Sequence, residues 1–293
     1  MKYQKKSFSE QLFVVACYTI IIFMCCVTLY PFLYLISASL SSPSSVMKNE
    51  VLLLPKDFTL RAYEVVVQYK GIWMAYVNTI FYTLVGTFLS LALTILAAYP
   101  LSKVRWAFKK PMGLFIVFTM WFGGGIIPFY LNMRNLNLLD SRLGILLYPA
   151  ISAFYIIIFR THFESIPVSL EESAKLEGGN DLQILTRIML PLSKPIMAAI
   201  ALYYAIDRWN AYFWEMLLLS DDSKIPVQVL LQRIIINSQL GQDIAKALSP
   251  GEASIPNTIK FAAIMITTIP IILVYPFLQK YFVSGALVGG VKE

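Results

Sequence analysis

The chain has 293 residues, of which 58% are apolar and only 14% charged. A soluble domain carries roughly 25% charged residues, and the apolar residues here fall in long uninterrupted blocks, which excludes a soluble globular protein and points to one all-α membrane domain. The formal net charge of +7 accompanies no basic run interleaved with aromatics, so a nucleic-acid partner is excluded; the excess is that of Lys and Arg flanking cytoplasmic membrane ends.

Gaps between charged side chains define the spans. A bilayer crossing takes roughly 20 apolar residues, and six blocks fit: 12–36, 76–99, 112–131, a short one at 143–159, 196–219 and 261–279. The first follows Lys2, Lys5 and Lys6 and is too long for the core of a signal peptide, with no small-residue cleavage site close behind it; it reads as an uncleaved anchor. Cys17, Cys25 and Cys26 all lie in it. Neighbouring helical residues point in different directions, so the three form no metal or redox site and read as small apolar residues.

Between the second and third blocks stand Lys103, Arg105, Lys109 and Lys110. Together with the amino-terminal lysines they put this link and the N-terminus in the cytoplasm. Six crossings return the C-terminus to the same side, and the links 37–75, 132–142 and 220–260 lie outside. The segment 160–195 is cytoplasmic.

Several chemistries are absent from the sequence. No Walker-type phosphate loop is present, and His162 is the only histidine. An H-E-x-x-H zinc site is therefore excluded, and no nucleophile elbow is found. No metal-binding or catalytic residue is expected. An ion-coupled secondary transporter or channel, the alternative from another class, predicts inverted repeats or a chain of membrane carboxylates, and neither is found.

The cytoplasmic segment is the most informative. Ser169 and Glu172 have capping-box spacing, which predicts a helix over 170–177, and Gly178 follows where a left-handed cap costs glycine nothing. Asp181 starts a second helix that Pro191 limits. A capped surface helix, a glycine turn and a helix leading into the fifth block make an elbow.

That spacing resembles the E-A-A-x-x-x-G-x9-I-x-L-P motif of ATP-binding-cassette importer permeases. Glu172, Ser173 and Ala174 take its first three places, Gly178 its glycine, and Ile188, Leu190 and Pro191 its end. Ser173 departs from the usual alanine, Glu177 stands where carbohydrate permeases carry aspartate, and Gly179 where they carry alanine. The run 122–128, Trp209-Asn210 and the ending Gly289-Gly290-Val291-Lys292 are similar to the carbohydrate permeases of the maltose MalG type, and within them to the LplC-like subgroup.

The resemblance implies a bacterial cytoplasmic-membrane subunit that is not itself an enzyme. It implies a heterodimeric pore with a second homologous permease, two ATPase subunits that bind ATP and Mg, and an extracytoplasmic solute-binding protein that delivers an oligosaccharide, with uronate-type acidic sugars included. This chain would hold no cofactor and would contact membrane lipid. Glu171, Glu172, Ser173, Ala174, Glu177 and Gly178 would couple it to the ATPase, and the ending is a second place for that contact.

Within the fifth block, Asp207, Arg208 and Glu215 are ionisable. A charge at the bilayer centre costs roughly 2.5–3.5 kcal/mol, so these side chains face protein or water. On a continuous helix Arg208 and Glu215 would share a face, and Glu215 would neutralise the arginine. Sugars favour aromatic faces with hydrogen-bonding groups, which makes Trp209, Asn210, Tyr212 and Trp214 candidates to line the pathway; packing of Trp209 and Asn210 on the partner permease is an equal alternative. The glycines 123–125 break or closely pack the third block.

Overall fold

The computed structural model describes residues 8–103, 106–236, 244 and 258–273. The amino-terminal lysines, Arg105, the outer segment around Pro250 and Pro256, residues 274–279 of the sixth block and the ending 289–292 lie outside the described residues. The chain divides into two compact units, residues 1–70 with 233–269, and residues 71–232 with 270–293.

In the first unit, α1 (Phe8–Ser39) is apolar on every side, and within the chain it buries only Ser37, Ala38 and Ser39, at its end. A helix that is apolar all round and unburied by its own chain is one for lipid or another subunit. Its internal hydroxyls are satisfied locally, as where Thr19 donates to the Val15 carbonyl at 2.9 Å. Ser42 then caps the short α2 (Pro43–Met47), and α3 (Arg61–Gln68) follows. Further along, the helix Thr258–Leu273 places Phe261 edge-on to Tyr34, at 6.0 Å.

The second unit is organised on α4 (Lys70–Ser102). Its buried positions include Ala75, Thr79, Thr83, Gly86, Ser90, Thr94 and Ala98. They recur every three or four residues, so one face is a row of small side chains. Such a row lets neighbouring helices approach closely where lipid offers no hydrophobic drive to pack. The large side chains Val77, Leu84, Phe88 and Leu96 point away and stay exposed.

Next come α5 (Lys109–Trp121) and α6 (Ile126–Asn135), bent by 114° at the intervening residues. Gly125 has φ +84 and ψ 174, a conformation open in practice only to glycine. A Cβ at 123 or 125 would meet nothing within 4 Å in this chain, and the helix breaks at these glycines. α7 (Arg142–Leu147) and α8 (Ala153–Ser165) divide the 143–159 block. α9 (Val168–Leu176) is the helix of the motif. After it come α10 (Asp181–Ile184), a π turn over Leu185–Met189, α11 (Leu190–Leu192), α12 (Lys194–Asn210), α13 (Phe213–Leu218) and α14 (Val227–Ile236). Among the described residues, two helices are long and apolar enough to cross a bilayer singly, or four if each bent pair counts as one span.

The fifth block is not one helix. Ala211 adopts an extended backbone after Asn210, and the chain restarts at Phe213. Continuity was the premise for placing Arg208 and Glu215 on one face, and the two form no ion pair within 4 Å. Arg208 is instead spent on neutral groups. It donates to Ser90 Oγ (2.9 Å) and to the carbonyls of Leu146 (3.1 Å) and Ile145 (3.4 Å). Those carbonyls belong to the last turn of α7, whose acceptors have no partner within their own helix. Gly86 is the recess for this guanidinium, because a Cβ there would collide with it.

The end of the unit away from the elbow is held by side chains of α4. Asn78 donates to the carbonyls of Ser223 (2.8 Å) and Ile225 (3.1 Å), Tyr82 donates to that of Lys224 (2.8 Å), and Thr79 accepts from the Val227 amide (2.8 Å). Asp140 accepts from the Ser220 and Asp221 amides and from Lys224. Hydrogen bonds from Ser223 and Lys224 hold the Asp221 carboxyl down at about 2.

Gly86→Ala should lower the thermal midpoint of the purified protein, because overfilling a packed site costs roughly 1–3 kcal/mol. Gly113→Ala meets only the tip of Arg160, at 3.0 Å, and should leave the midpoint near the wild-type value. Equal midpoints for the two variants in a thermal-shift assay would contradict the recess.

Candidate functional site

The elbow is built by proline and glycine. Pro167 fixes its own φ near −56 and Ile166 before it is extended, with ψ 131, as a residue preceding proline must be. The helix therefore starts at once, at Val168. This corrects the expected capping box: Ser169 already sits inside the first turn, and no side chain caps α9. The box exists one helix later. Asn180 Oδ1 accepts from the Gln183 amide (2.9 Å), and Gln183 Oε1 accepts from the Asn180 amide (3.0 Å).

The other end of α9 is closed as Gly178 implied. Its φ is +83, its amide donates to the Lys175 carbonyl (3.0 Å), and the Gly179 amide donates to that of Ala174 (2.8 Å). These two bonds are the Schellman pattern, which needs a residue of positive φ at this place. Gly179 is constrained differently. A Cβ there would lie 2.8 Å from the Ala174 oxygen, so the departure from alanine removes a close contact with the capped turn.

The faces of α9 separate the expected residues. Ala174 packs against a buried cluster made of Ile95, Ala98 and Tyr99 of α4, Phe159 and Phe163 of α8, Ile184 of α10 and Ile200 of α12. Glu171 also turns inward. Its carboxylate takes Lys103 at 2.5 Å and Lys175 at 2.9 Å. Burial pushes this carboxyl up, but the hydrogen bonds and charges of the two lysines outweigh it and leave it below the ordinary carboxylate range. Lys103 also sits over the Tyr99 ring at 3.9 Å, and the Tyr99 hydroxyl donates to the Asp181 carbonyl at 3.2 Å. Both arms of the elbow are thus fastened to the end of α4. A second carboxylate, Glu164, joins Lys109 (2.8 Å) and Arg160 (3.0 Å), tying α5 to α8.

Glu172, Ser173, Glu177 and Gly178 are exposed. Beside them Leu176 is 90% exposed, a bare apolar side chain on a polar helix. Sequence reasoning passed over Leu176, Lys103 and Tyr99. The Glu171–Lys175 spacing was a visible signal, since residues four apart meet on a helix.

Pro191 does not end the second arm. A π turn precedes it, the helix runs on to Leu192, and the break falls at Ser193, with 84° between Asp181–Leu192 and α12. Ser193 is fully buried, and its hydroxyl donates to the Met189 carbonyl at 2.7 Å.

At the end of α12 and the start of α13 the four pathway candidates separate. Trp214 lies in an aromatic cluster with Phe129 (4.5 Å) and Tyr148 (5.9 Å). Trp209 is half-buried, with its indole nitrogen sealed and unpartnered. Asn210 donates to its own helix at the Ile206 carbonyl, and Tyr212 is exposed at the break. A cavity of about 340 Å³ opens beside them, and its wall carries none of the four. It is lined by Tyr148, Ser152, Tyr155, Tyr204, Asp207 and Arg208 among others.

The chain matches the family described as "Binding-protein-dependent transport system inner membrane component" over residues 69–287. It is 41% identical over 283 residues to the polygalacturonan/rhamnogalacturonan transport system permease protein YtcP of Bacillus subtilis (strain 168), covering 97% of this chain and 99% of that one. It is 39% identical over 270 residues to Protein LplC of the same organism, covering 91% and 90%. Among solved structures it is similar, with TM-score 0.90 and 44% identity over 95% of this chain and 99% of the other, to a chain of a bacterial ABC transporter involved in the import of the acidic polysaccharide alginate. The family foreseen from the Glu172–Pro191 spacing is thus the one found: the chain is an all-α, multi-pass membrane protein that belongs to the binding-protein-dependent transport system inner membrane components.

Proposed function

We propose that this chain is one of two permease subunits of an ATP-binding-cassette importer for acidic oligosaccharides of the uronate type. The observation that carries the reading is the elbow: a glycine-capped helix, bolted to the bundle through Glu171 and Ala174, presents Glu172, Ser173 and Leu176 outward in a chain without a phosphate loop of its own. Such a helix has a use when a separate, nucleotide-binding partner moves it. The printed names of the relatives, polygalacturonan/rhamnogalacturonan for one and alginate for another, support the substrate class.

In this reading the chain crosses the membrane six times with both termini in the cytoplasm. A second homologous permease completes the pore, and a solute-binding protein delivers the sugar from outside. Two ATPase subunits hold ATP and Mg, and the outward face of α9 seats in the ATPase. Closure of the ATPase dimer displaces α9. Because Lys103, Tyr99 and the buried cluster fasten both arms of the elbow to α4, α8 and α12, the displacement passes into the bundle rather than being absorbed by a loop. ATP shifts the conformational equilibrium only through the difference in its affinity for the two states.

Two sets of variants in vesicles holding the complete transporter test this. Gly178→Val forces a β-branched residue into a left-handed conformation, at roughly 1–2 kcal/mol, and should lose most ATP-driven uptake. Gly178→Asn suits that conformation better and should retain more. Equal uptake by wild type and both variants would count against the coupling role. Lys103→Gln should leave Glu171 with Lys175 alone, so that more ATP is hydrolysed per sugar imported; an unchanged ratio of hydrolysis to uptake would show the latch to be dispensable.

A further inference from the structure

The cavity in the upper part of the second unit has a composition that its surroundings do not require. Asp207 is thirteen residues into α12, about 20 Å from the elbow at 1.5 Å per residue, and its side chain is exposed. A carboxylate at this depth faces water or protein rather than hydrocarbon. The Tyr155 hydroxyl donates to Asp207 Oδ2 at 3.3 Å, and the second carboxylate oxygen has no hydrogen-bond partner among the described residues.

Aromatic rings crowd the same wall. Tyr155 stacks on Tyr203 at 6.0 Å with 16° between the planes, and meets Tyr204 edge-on at 4.7 Å. The Tyr204 hydroxyl is committed, accepting from the Ser152 amide (3.2 Å) and sharing a hydrogen bond with Thr94 (2.7 Å), so its ring is held still. Arg208, 6% exposed, backs the inner wall, with its guanidinium turned to Gly86 and committed to Ser90 and to the carbonyls of Leu146 and Ile145. Rigid aromatic faces and one free carboxylate oxygen in a volume at the small end of the 300–1,000 Å³ typical of ligand sites describe a polar-aromatic binding pocket.

We propose that this cavity is a subsite for one ring of the transported sugar. The C–H face of the ring lies on Tyr155 and its hydroxyls donate to Asp207, with its own carboxylate turned away from that anion. The inference rests on the transport reading above. It moves the sugar contacts in this subunit away from Trp209, Asn210, Tyr212 and Trp214. The anionic Asp207 gives the subsite polarity, because it repels the carboxylate of a uronate ring and accepts from its hydroxyl edge, so the ring is held in one orientation.

The test uses the complete transporter with its solute-binding protein in vesicles, and trigalacturonate as the probe. Tyr155→Ala and Asp207→Ala should each raise the KM for uptake about tenfold, the scale of a lost hydrogen bond to a charged group. Tyr155→Phe, which keeps the ring and is the safer variant for folding, should raise it by a smaller factor. In a chain with Cys17, Cys25 and Cys26 replaced by serine, Ser152→Cys should react with a charged thiol reagent, and trigalacturonate during turnover should abolish that labelling. Wild-type KM in both alanine variants, or labelling indifferent to the sugar, overturns the subsite while leaving the transport reading intact. Failure of the wild-type transporter to import any acidic oligosaccharide overturns both.

Discussion

Every backbone amide and carbonyl at membrane depth must find a partner within the protein, because hydrocarbon offers none. This chain repeatedly interrupts its helices, and each interruption creates unpaired groups. The second unit meets that demand with side chains from its two longest members, α4 and α12. Arg208 covers the last carbonyls of α7, Tyr204 accepts the first free amide at α8, and Asn78, Thr79 and Tyr82 fasten the segment after α13. The same bonds locate the cavity, whose wall lies between the tail of α7, the start of α8 and the outer part of α12.

The small-residue face of α4 is what makes this possible. A guanidinium reaches the α7 carbonyls because residue 86 has no side chain. Further along the same helix Ala98 and Tyr99 support the elbow, and Lys103 at its end holds Glu171. One helix therefore touches the elements that would receive force and those that line the cavity, so movement at one end has a mechanical route to the other.

Much of the elbow was legible in the sequence. Gly178 was, because a positive φ after a polar helix leaves a strong local signature, and so was the family, because the motif is a spacing. The helix start was misread: Ser169 and Glu172 have the right spacing for a capping box, but Pro167 acts on the backbone first and begins the helix ahead of them. The true box at Asn180 and Gln183 was hidden by the more familiar Asp181. Long-range partners were out of reach, since Lys103 is 68 residues from Glu171. The surroundings of the pathway candidates were hidden for a related reason: no proline or glycine marks the break at Ala211, which leaves Trp214 in an aromatic cluster and Asp207 on the cavity wall.

The central claim is that α9 faces the cytoplasm and seats in a nucleotide-binding partner. Leu176→Cys, in a chain whose native cysteines are replaced by serine, measures this directly with a membrane-impermeant thiol reagent on vesicles of known orientation. The account predicts labelling from the cytoplasmic face alone, strong when the ATPase subunits are stripped away and suppressed when they are restored. Labelling from the opposite face, or labelling that the ATPase leaves unchanged, would contradict it.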